Sequence, residues 1–383
     1  MSGDPPYDAT ARRDTPLALK LKARIRAEGP ITVAEYMHAC LQDTEHGYYR
    51  TKAAIGRKGD FITAPEISQV FGELIGLWCV IVWRQMGEPA PFNLIELGPG
   101  RGTLMHDALR AAHVAPAFLK AASVHLVESS EALRKVQAET LNKSRIVWHE
   151  WIDELPSAPS IVIANEFLDT FPIEQLSGAK HDDIVEAVVG LKERIVASDT
   201  DGRLVFAWRS FVGEVSMPVE YSTLIEPIHE TQDFPRLALF RAATELQPLA
   251  ALFIDYGHAV HDLSGDTLQA VRAHTFEHPL CSPGEADLSV QVNFADLQQR
   301  LSALPALSTD GPITQSEFLG NLGIMQRASR LMAANPAKAN EIETGVARLM
   351  APNGMGTRFK VLGVRSKGLP PLPGFPTPVG GVQ

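Results

Sequence analysis

The stretch NLIELGPGRGTL, residues 93–104, decides the fold because it joins an apolar run to a helix-like sequence through a glycine-rich turn. The run ends near Glu96, and three glycines follow within five residues, at Gly98, Gly100 and Gly102. Between a strand and a helix N-terminus, such a turn lets backbone N–H groups and the helix dipole face a ligand at close range. The turn alone is weak evidence, since glycines also serve purely structural turns.

The spacing of the glycines and the acidic residue before them indicate which ligand is favoured. Dinucleotide sites use the spacing GxGxxG, whereas this chain has GxGxG, and Pro99 removes one N–H donor from the turn. A carboxylate at Glu96 would repel phosphates but attract the amino group of a zwitterionic amino-acid tail. S-adenosylmethionine (SAM) carries such a tail, so the pattern favours SAM over a nicotinamide dinucleotide.

Two further carboxylates follow the next strands. Glu128 ends the apolar run SVHLVE, where a doubly wound sheet places an acidic residue that accepts hydrogen bonds from ribose hydroxyls. Asp153 follows the run RIVWH, in position for the amino group of adenine. Alone, Glu128 could be an N-terminal helix charge and Asp153 a surface-turn residue. Together with Glu96, they place three carboxylates at successive strand ends, which strengthens the prediction of a SAM site.

Polar residues after the fourth and fifth strands are the candidate catalytic groups. Asn165 and Glu166 end the run IVIAN, Asp169 follows shortly after, and Asp255 ends the run LAALFID. Carboxylates here suit a cationic acceptor, because a guanidinium must be oriented and must lose a proton as it attacks a methyl group. Arginine also favours carboxylates as bidentate partners. Asn165 could alternatively be only a helix cap.

The sequence predicts neither a metal site nor a disulfide framework. His258 has no second ligand at a matching spacing, and HTFEHPLCSPGEADL, residues 274–288, fits no known zinc pattern. We interpret that segment as a loop that closes over the substrate. The three cysteines are far apart and form no CxxC motif, which indicates a reducing compartment.

Composition and charge limit the class of protein. The formal net charge of −10 disfavours nucleic acid as a partner, because phosphate binding needs a basic face. No apolar run reaches the length of a membrane span. Residues 1–16 lack the hydrophobic core of a signal peptide, and their three Asp residues speak against a transit peptide. We therefore expect a cytoplasmic protein without membrane insertion. Its oligomeric state is not predicted.

Short apolar runs that alternate with helical stretches from residue 92 onwards predict an α/β, Rossmann-like fold with a parallel sheet. The stretch PEISQVFGELIGLW predicts one amphipathic helix, DLSVQVNF predicts a strand, and Asp201-Gly202 predicts a hairpin turn. The predicted organisation comprises a loose tail at 1–16, a helical segment at 17–90, an α/β domain at 91–368 with an insertion at about 176–248, and a Pro/Gly-rich, poorly ordered tail at 369–383.

Over residues 17–368 the chain resembles the MidA-type SAM-dependent methyltransferases, whose mitochondrial members are assembly factors for respiratory complex I. The resemblance rests on five motifs: HGYYRTKAAIGRKGDFITAPEISQVFGELIG, IELGPGRGTLMHD, ANEFLDTFPI, FIDYGH and ADLSVQVNF. It implies a seven-stranded class I methyltransferase core that uses SAM. It also implies symmetric dimethylation of an arginine on the 49-kDa-type subunit of complex I, in the mitochondrial matrix if the chain is eukaryotic.

The resemblance also assigns residues to the cofactor site. Matching motif positions are Gly98, Gly100, Gly102, Glu128 and Asn165. The segment GDFITAPEIS in the helical region 17–90 is expected to cover the cofactor, which adds Asp60, Thr63, Pro65 and Glu66.

Two other functions remain open at this point. A non-catalytic assembly scaffold would keep the pocket and work by binding a partner, but the intact glycines and the Glu166 and Asp169 carboxylates argue against it. An NAD-dependent oxidoreductase is disfavoured by the GxGxG spacing and by Glu96.

Overall fold

The computed structural model describes residues 7–51, 63–141, 146–177, 191–211, 229–232, 248–260 and 265–376. The chain divides into two compact units. The first unit comprises Met1–Ala54, Asp169–Phe234 and Val260–Gln291, and the second comprises Ile55–Leu168, Pro235–Ala259 and Val292–Gln383. The predicted boundaries at residues 16 and 90 do not coincide with this division, and most of the predicted insertion falls in the first unit.

The helices in the described part of the chain are α1 (Pro16–Glu28), α2 (Val33–Gln42), α3 (Tyr48–Thr51), α4 (Ala64–Ile67), α5 (Gln69–Gln85), α6 (Thr103–Ala111), α7 (Pro116–Ala121), α8 (Glu131–Thr140), α9 (Phe294–Ser302), α10 (Gln315–Asn321), α11 (Ile324–Ala334) and α12 (Ala339–Met350). The strands are β1 (Ile31–Thr32), β2 (Phe92–Leu97), β3 (Ala122–Val127), β4 (Ile146–His149), β5 (Ser160–Asn165), β6 (Ile173–Ser177), β7 (Lys192–Ser198), β8 (Leu204–Ser210), β9 (His229–Gln232), β10 (Leu249–His258), β11 (Gln269–Arg272), β12 (Thr275–Glu277), β13 (Asp287–Ser289), β14 (Val292–Asn293), β15 (Leu307–Thr314) and β16 (Phe359–Ser366).

The second unit is built on a mixed sheet with the strand order β4-β3-β2-β5-β10-β16-β15. The five strands from β4 to β10 run parallel, β16 runs antiparallel to β10, and β15 runs antiparallel to β16. The short β14 pairs with the end of β10 as an eighth strand. The predicted α/β fold and its seven-stranded core are confirmed. Every residue of β2 and β5 is buried, as expected for parallel strands covered on both faces.

The strand order also locates the place where a ligand can bind. The chain proceeds from β2 to β3 and β4 on one side, then returns to β5 and β10 on the other. The carboxyl ends of β2 and β5 therefore meet at a topological switch point, where open α/β sheets leave a crevice.

One predicted helix is divided in two. The stretch PEISQVFGELIGLW forms α4 and α5, which are separated by Ser68 in an extended conformation with φ −155°. The hydroxyl of Ser68 accepts a hydrogen bond from Val70 N at 3.3 Å and caps α5. The predicted apolar stripe of α5 is confirmed, since its members are buried: Val70, Phe71, Leu74, Ile75 and Trp78.

The Pro/Gly-rich end of the chain is ordered up to residue 376, so the predicted lack of order is wrong for that part. Leu372 and Phe375 are buried, and Trp78 Nε1 donates to the Pro373 carbonyl at 3.0 Å. Large apolar side chains between the prolines explain this packing, because they bury surface on the sheet and helices. Residues 377–383 lie outside the described part.

The first unit contains an antiparallel sheet of β1, β6, β7, β8 and β9 and a smaller sheet of β11, β12 and β13. The predicted hairpin is confirmed, because β7 pairs with β8 and Gly202 turns with φ +73°. The rest of the predicted insertion falls partly on residues 178–190, 212–228 and 233–247, outside the described residues. The single strand predicted for DLSVQVNF is wrong: β13 lies in the first unit and β14 in the second.

Residues 7–15 are also held in the first unit rather than forming a loose tail. Arg12 Nε donates to the Leu204 carbonyl at 2.8 Å, and the Thr15 hydroxyl caps α1 by accepting from Ala18 N at 3.0 Å. Residues 1–6 lie outside the described part.

Candidate functional site

A solvent-open pocket lies in the second unit, at the carboxyl ends of β2 and β5. It brings together many of the residues that the sequence singled out: Thr63, Pro65, Glu66, Glu96, Gly98, Gly100, Asn165 and Glu166. It also contains residues that the sequence analysis did not single out as ligand contacts: Pro99, Arg101, Thr103 and Leu104.

The glycine turn adopts backbone angles that favour glycine. Gly98, Gly100 and Gly102 have φ values of +62°, +54° and +79°. A Cβ at Gly98 would lie 2.7 Å from the ring of Phe167, which leaves no room for a side chain. Gly102 caps α6 and does not line the pocket, so its role is to start the helix. Gly98 and Gly100 shape the pocket itself.

Glu96 presents a buried acid to this pocket. Its side chain is only 3% exposed, and Oε2 has no hydrogen-bond partner among the described residues. Burial raises the pKa of Glu96 to about 8. The carboxyl accepts a backbone hydrogen bond from Met105, so Oε2 is its oxygen without a partner, and a buried acceptor in that state is costly unless a cation or donor satisfies it. Glu96 is therefore suited to a cationic group of a bound ligand.

Glu128 belongs to a hydrogen-bonded network behind the glycine turn. Its carboxylate accepts from Ser130 N at 2.8 Å and from Gln137 Nε2 at 3.2 Å. Burial raises the pKa of Glu128 to about 6. Gln137 also donates to the Gly100 carbonyl at 2.8 Å and accepts from Trp148 Nε1 at 2.8 Å. Gln137 thus connects the glycine turn to Glu128, a role that the sequence did not reveal. Its position beside apolar residues of a predicted helix was the feature that could have indicated a buried side chain.

The remaining predicted cofactor residues are not brought to the described pocket. Asp153 is exposed in the short 3-10 turn Ile152–Glu154, and neither it nor Glu128 lines the pocket. Asp60 falls within residues 52–62, outside the described part of the chain.

The turn after β5 holds Glu166 in a rare conformation. Its φ is +51°, and its N–H donates to the Ile254 carbonyl at 2.8 Å. The oxygen Oε1 accepts from Ala64 N at 2.9 Å and from Asn165 Nδ2 at 3.2 Å. Burial raises the pKa of Glu166 to about 7. Positive φ at a non-glycine residue costs energy and persists where surrounding contacts enforce it, which is common at functional sites.

Asn165 presents a second acceptor. Its amide nitrogen donates to Glu166, so its oxygen Oδ1 faces away from that bond. Oδ1 is buried and has no hydrogen-bond partner within the described ranges. The pocket therefore offers acceptor oxygens at this turn, and a bound donor such as an N–H group would satisfy them.

Helix α4 closes the pocket beside the glycine turn. Glu66 accepts a hydrogen bond from the Thr103 hydroxyl, which links α4 to the first turn of α6. Ala64 N reaches Glu166, which links α4 to the turn after β5. Thr63 and Pro65 begin the helix and line the pocket with Glu66.

Asp255 and Asp169 have surroundings that differ from the predicted ones. Asp255 is fully buried, and Oδ2 accepts from the backbone N–H groups of Phe167 and Leu168 at 3.0 and 2.9 Å. It therefore holds the turn that carries Glu166. Asp169 belongs to the first unit, where its carbonyl accepts from Val290 N at 3.0 Å. Neither residue lines the described pocket.

The described residues contain no group of three or more His, Cys, Asp and Glu side chains that could hold a metal ion. In the segment 274–288, His278 Nδ1 accepts a hydrogen bond from Leu280 N at 3.0 Å, and Asp287 accepts one from the Tyr49 hydroxyl at 2.8 Å. Within the described part of the chain, no helix has the length and apolar character that a membrane crossing requires.

Comparison with known families and proteins places this pocket in context. Residues 74–313 match the model of an S-adenosyl-L-methionine-dependent methyltransferase family. The chain is 35% identical to the Drosophila melanogaster mitochondrial protein arginine methyltransferase NDUFAF7 homolog, covering 90% of this chain and 84% of that protein. Identity to the human mitochondrial NDUFAF7 is 34%, covering 90% and 82%.

Solved structures show the same fold. A Burkholderia thailandensis protein bound to S-adenosyl-homocysteine superposes with a TM-score of 0.78 at 25% identity, covering 95% of this chain and 97% of that chain. A native crystal structure from the same organism gives a TM-score of 0.76 at 26% identity, covering 96% and 98%.

Proposed function

We propose that this chain, which belongs to the S-adenosyl-L-methionine-dependent methyltransferase family, methylates an arginine side chain of a protein. Its relatives include the mitochondrial NDUFAF7 arginine methyltransferases. The cofactor of this family is SAM, which supplies an electrophilic methyl group. The observation that carries the proposal is the pocket itself, which brings the unpartnered oxygen Oε2 of Glu96 together with the acceptor oxygens of Asn165 and Glu166.

The pocket residues fit the two cations that this reaction brings together. Glu96 would hold the ammonium of the methionine tail, while Gly98 and Gly100 leave space for close approach of the ligand to the backbone. At the turn after β5, the oxygens of Asn165 and Glu166 would accept N–H bonds from a guanidinium. We propose that the glycine turn binds the methionine half of SAM and that Glu128 binds the ribose.

Glu166 is the residue that we assign to orientation and proton transfer. Because Oε1 is engaged by Ala64 N and Asn165, the other carboxylate oxygen remains for the guanidinium. A pKa near 7 lets the carboxylate hold the cation and then accept the proton that the guanidinium releases. Asp255 acts by holding the turn, and Asp169 stays a proposed catalytic residue on the strength of its place in the sequence motif.

We further propose that the acceptor is an arginine on the 49-kDa-type subunit of respiratory complex I, that the product is symmetric dimethylarginine, and that the modification supports complex I assembly. The resemblance carried by HGYYRTKAAIGRKGDFITAPEISQVFGELIG and ANEFLDTFPI, which are highly specific to the MidA-type family, supports this substrate. The three cysteines are buried and free, which agrees with a reducing compartment such as the bacterial cytoplasm, or the mitochondrial matrix in a eukaryote.

A thermal-shift comparison of SAM, S-adenosyl-homocysteine and NAD tests the cofactor assignment. At one hundred times its dissociation constant, a ligand stabilises the folded protein by about 2.7 kcal/mol. SAM and S-adenosyl-homocysteine should raise the melting temperature, whereas NAD should not. A rise in melting temperature with NAD alone would favour the oxidoreductase function instead. Because a scaffold would also bind SAM, only a methylation assay separates it from an enzyme.

Glu128→Ala is expected to weaken SAM binding about ten- to a hundredfold, because it removes a charge-assisted acceptor for the ribose hydroxyls. Calorimetric titration of the purified variant measures the loss. Glu131→Ala is the matched control, since Glu131 is an exposed glutamate three residues further on, in the first turn of α8. If Glu128→Ala binds SAM as the wild type does, Glu128 serves only the structural hydrogen bonds from Ser130 N and Gln137 Nε2.

SAM affinity is expected to rise with pH between about 6 and 8. Because its pKa is raised to about 8, Glu96 is mostly protonated at neutral pH in the free protein. A bound ammonium stabilises the ionised form of Glu96 over the protonated form. Binding then releases a proton, so affinity rises by up to about tenfold per pH unit. Above pH 8 the rise ends, because the amino group of the ligand loses its own proton at roughly pH 7.7–8.0.

Calorimetry in buffers of different ionisation enthalpy measures this proton release directly. Glu96→Gln should bind SAM more weakly and lose most of the pH dependence. A pH dependence that survives unchanged in Glu96→Gln would assign the titration to another group, with Glu166 the first candidate because its pKa is raised to about 7.

A further inference from the structure

We propose that helix α4, Ala64–Ile67, is a latch on the pocket that opens when Glu166 takes up a proton. This inference rests on the proposed function and adds a conformational step to it. In that function the methyl group leaves the sulfur of SAM for a guanidinium nitrogen, and the proton displaced from that nitrogen passes to the Glu166 carboxylate. The same carboxylate holds α4 in place, so the chemical step changes the contact that keeps the latch closed.

The first N–H group of α4 is held by Glu166 and not by the N-cap of the helix. Thr63 is the N-cap residue, and its side chain makes no capping hydrogen bond. The early N–H groups of a helix have no partner within the helix. Ala64 N instead donates to Glu166 Oε1 at 2.9 Å, across 102 positions of the chain. A helix of four residues has little stability of its own, so α4 depends on such tertiary contacts.

The rest of α4 is held by contacts that do not involve Glu166. Glu66 accepts a hydrogen bond from the Thr103 hydroxyl, at the start of α6. A Cβ at Gly345 would lie 2.9 Å from the carbonyl oxygen of Ile67, so α12 packs closely against the last residue of α4. A weaker bond to Glu166 therefore loosens the Ala64 end of the latch, while the other end stays attached.

The hold on Ala64 depends on the charge of Glu166. A carboxylate accepts a backbone N–H bond roughly twice as strongly as a neutral group does. Burial raises the pKa of Glu166 to about 7, and the Ala64 N–H and the charge of Arg348 both favour its ionised form. The other acids of the pocket are Glu66 and Glu96. Because docking of α4 and ionisation of Glu166 favour each other, the latch holds most tightly above this pKa and loosens as the pH falls through it.

This charge dependence links the latch to the stage of the reaction. Before transfer, the Glu166 carboxylate keeps α4 closed on the pocket that contains SAM. After transfer, the protonated carboxyl holds Ala64 N less strongly, so the pocket opens when it contains S-adenosyl-homocysteine. Loss of the proton to solvent restores the carboxylate and closes the latch again. Product release thus follows a completed transfer.

Hydrogen exchange in the ligand-free protein tests the latch independently of any substrate. Exchange in a peptide that contains α4 is followed by mass spectrometry at about pH 6 and about pH 8, and the intrinsic exchange rate at each pH is divided out. We expect α4 of the wild type to be about five- to tenfold more protected at the higher pH. Glu166→Gln, which carries no charge at either pH, should be equally protected at both.

Two further variants assign the effect to Glu166. Glu96→Gln removes the pocket acid whose pKa is raised to about 8, and it should keep the pH dependence of α4 exchange. Thr103→Val removes the hydroxyl that binds Glu66, so α4 should exchange faster at both pH values while its pH dependence remains. Glutamine at position 166 can still accept from Ala64 N, so that variant should fold, and its melting temperature checks this.

The rate at which S-adenosyl-homocysteine dissociates measures the link to product release. At about pH 8, Glu166→Gln should release it about five- to tenfold faster than the wild type, whereas at about pH 6 the two rates should be nearly equal. The association rate should rise by the same factor, because an open latch also admits the ligand. The dissociation constant therefore stays near that of the wild type.

Three results would overturn the inference. Wild-type α4 could be equally protected at both pH values, its pH dependence could survive in Glu166→Gln, or both proteins could release S-adenosyl-homocysteine at the same rate at about pH 8. A wild type that binds no SAM or methylates no arginine would instead refute the proposed function. Because α4 exchange is measured without ligand, the two failures are distinguishable.

Discussion

Replacing Glu166 with glutamine is expected to lower the rate of arginine methylation by roughly 100- to 10,000-fold while SAM still binds. Glutamine keeps the length of the side chain and can still accept from Ala64 N. It carries no charge to hold a guanidinium, and it cannot accept the proton that the guanidinium releases. The loss should therefore appear in the rate of methyl transfer and not in the dissociation constant of SAM.

The matched control for this variant is Glu88→Gln. Glu88 is an exposed glutamate of the same unit with φ +57°, close to the +51° of Glu166, so both substitutions place glutamine in a left-handed conformation. Glu88→Gln should methylate at the wild-type rate. If Glu166→Gln also turns over at that rate, Glu166 has no part in the chemistry, and its strained backbone serves only the turn after β5.

Gly100→Val is expected to abolish measurable SAM binding, a loss of at least about a hundredfold. Gly100 lines the pocket with φ +54°, where a β-branched residue is strained. Its carbonyl also accepts from Gln137 at 2.8 Å, so a shift of the backbone would disturb the network that holds Glu128. Both effects act on the face of the turn that we assign to the ligand.

Gly202→Val separates backbone strain from ligand contact. Gly202 has φ +73° in the hairpin of the first unit, and a Cβ there would meet no atom within 4 Å. It should lose some stability and keep SAM affinity. Calorimetry on both folded variants, with melting temperatures alongside, gives the comparison. Near-native SAM affinity in Gly100→Val would show that the turn is merely structural.

The sequence predicted the secondary structure best where a local residue pattern determines it. The runs FNLIEL, SVHLVE, SIVIAN and LAALFIDYGH match strands β2, β3, β5 and β10 closely, because buried parallel strands are continuously apolar. The strand β15 was not predicted, since LSTDGPIT is polar and is interrupted by Gly311-Pro312, and the ladder itself shifts register between Asp310 and Ile313.

The parts of the site that were missed depend on contacts between distant residues. Gln137 meets Gly100 across 37 positions, and Glu166 meets Ala64 across 102. Such contacts cannot be predicted from the residue pattern of either segment alone, because they depend on how distant segments pack. Asp255 illustrates the same limit: its place near the end of β10 suggested a substrate contact, whereas its oxygen Oδ2 holds the backbone of the turn at Phe167 and Leu168.

The two classes of function that bind SAM differ in one observable. An enzyme must move the methyl group onto a nitrogen, and a scaffold only needs the folded pocket. The acceptor oxygens of Asn165 and Glu166 favour the enzyme, because a scaffold has no use for a strained, partly buried carboxylate whose pKa is raised to about 7. Glu166→Gln also tests the proposed role in complex I assembly in cells, since a scaffold should support assembly with or without the Glu166 carboxylate.

Incubation of the purified protein with methyl-labelled SAM and the 49-kDa-type subunit of complex I, followed by mass spectrometry of the subunit, tests the central claim most directly. We predict label on a single arginine as symmetric dimethylarginine, with no label when Glu166→Gln replaces the wild type. A wild-type protein that binds SAM but labels no arginine in this or any other respiratory subunit would contradict the claim and favour the scaffold.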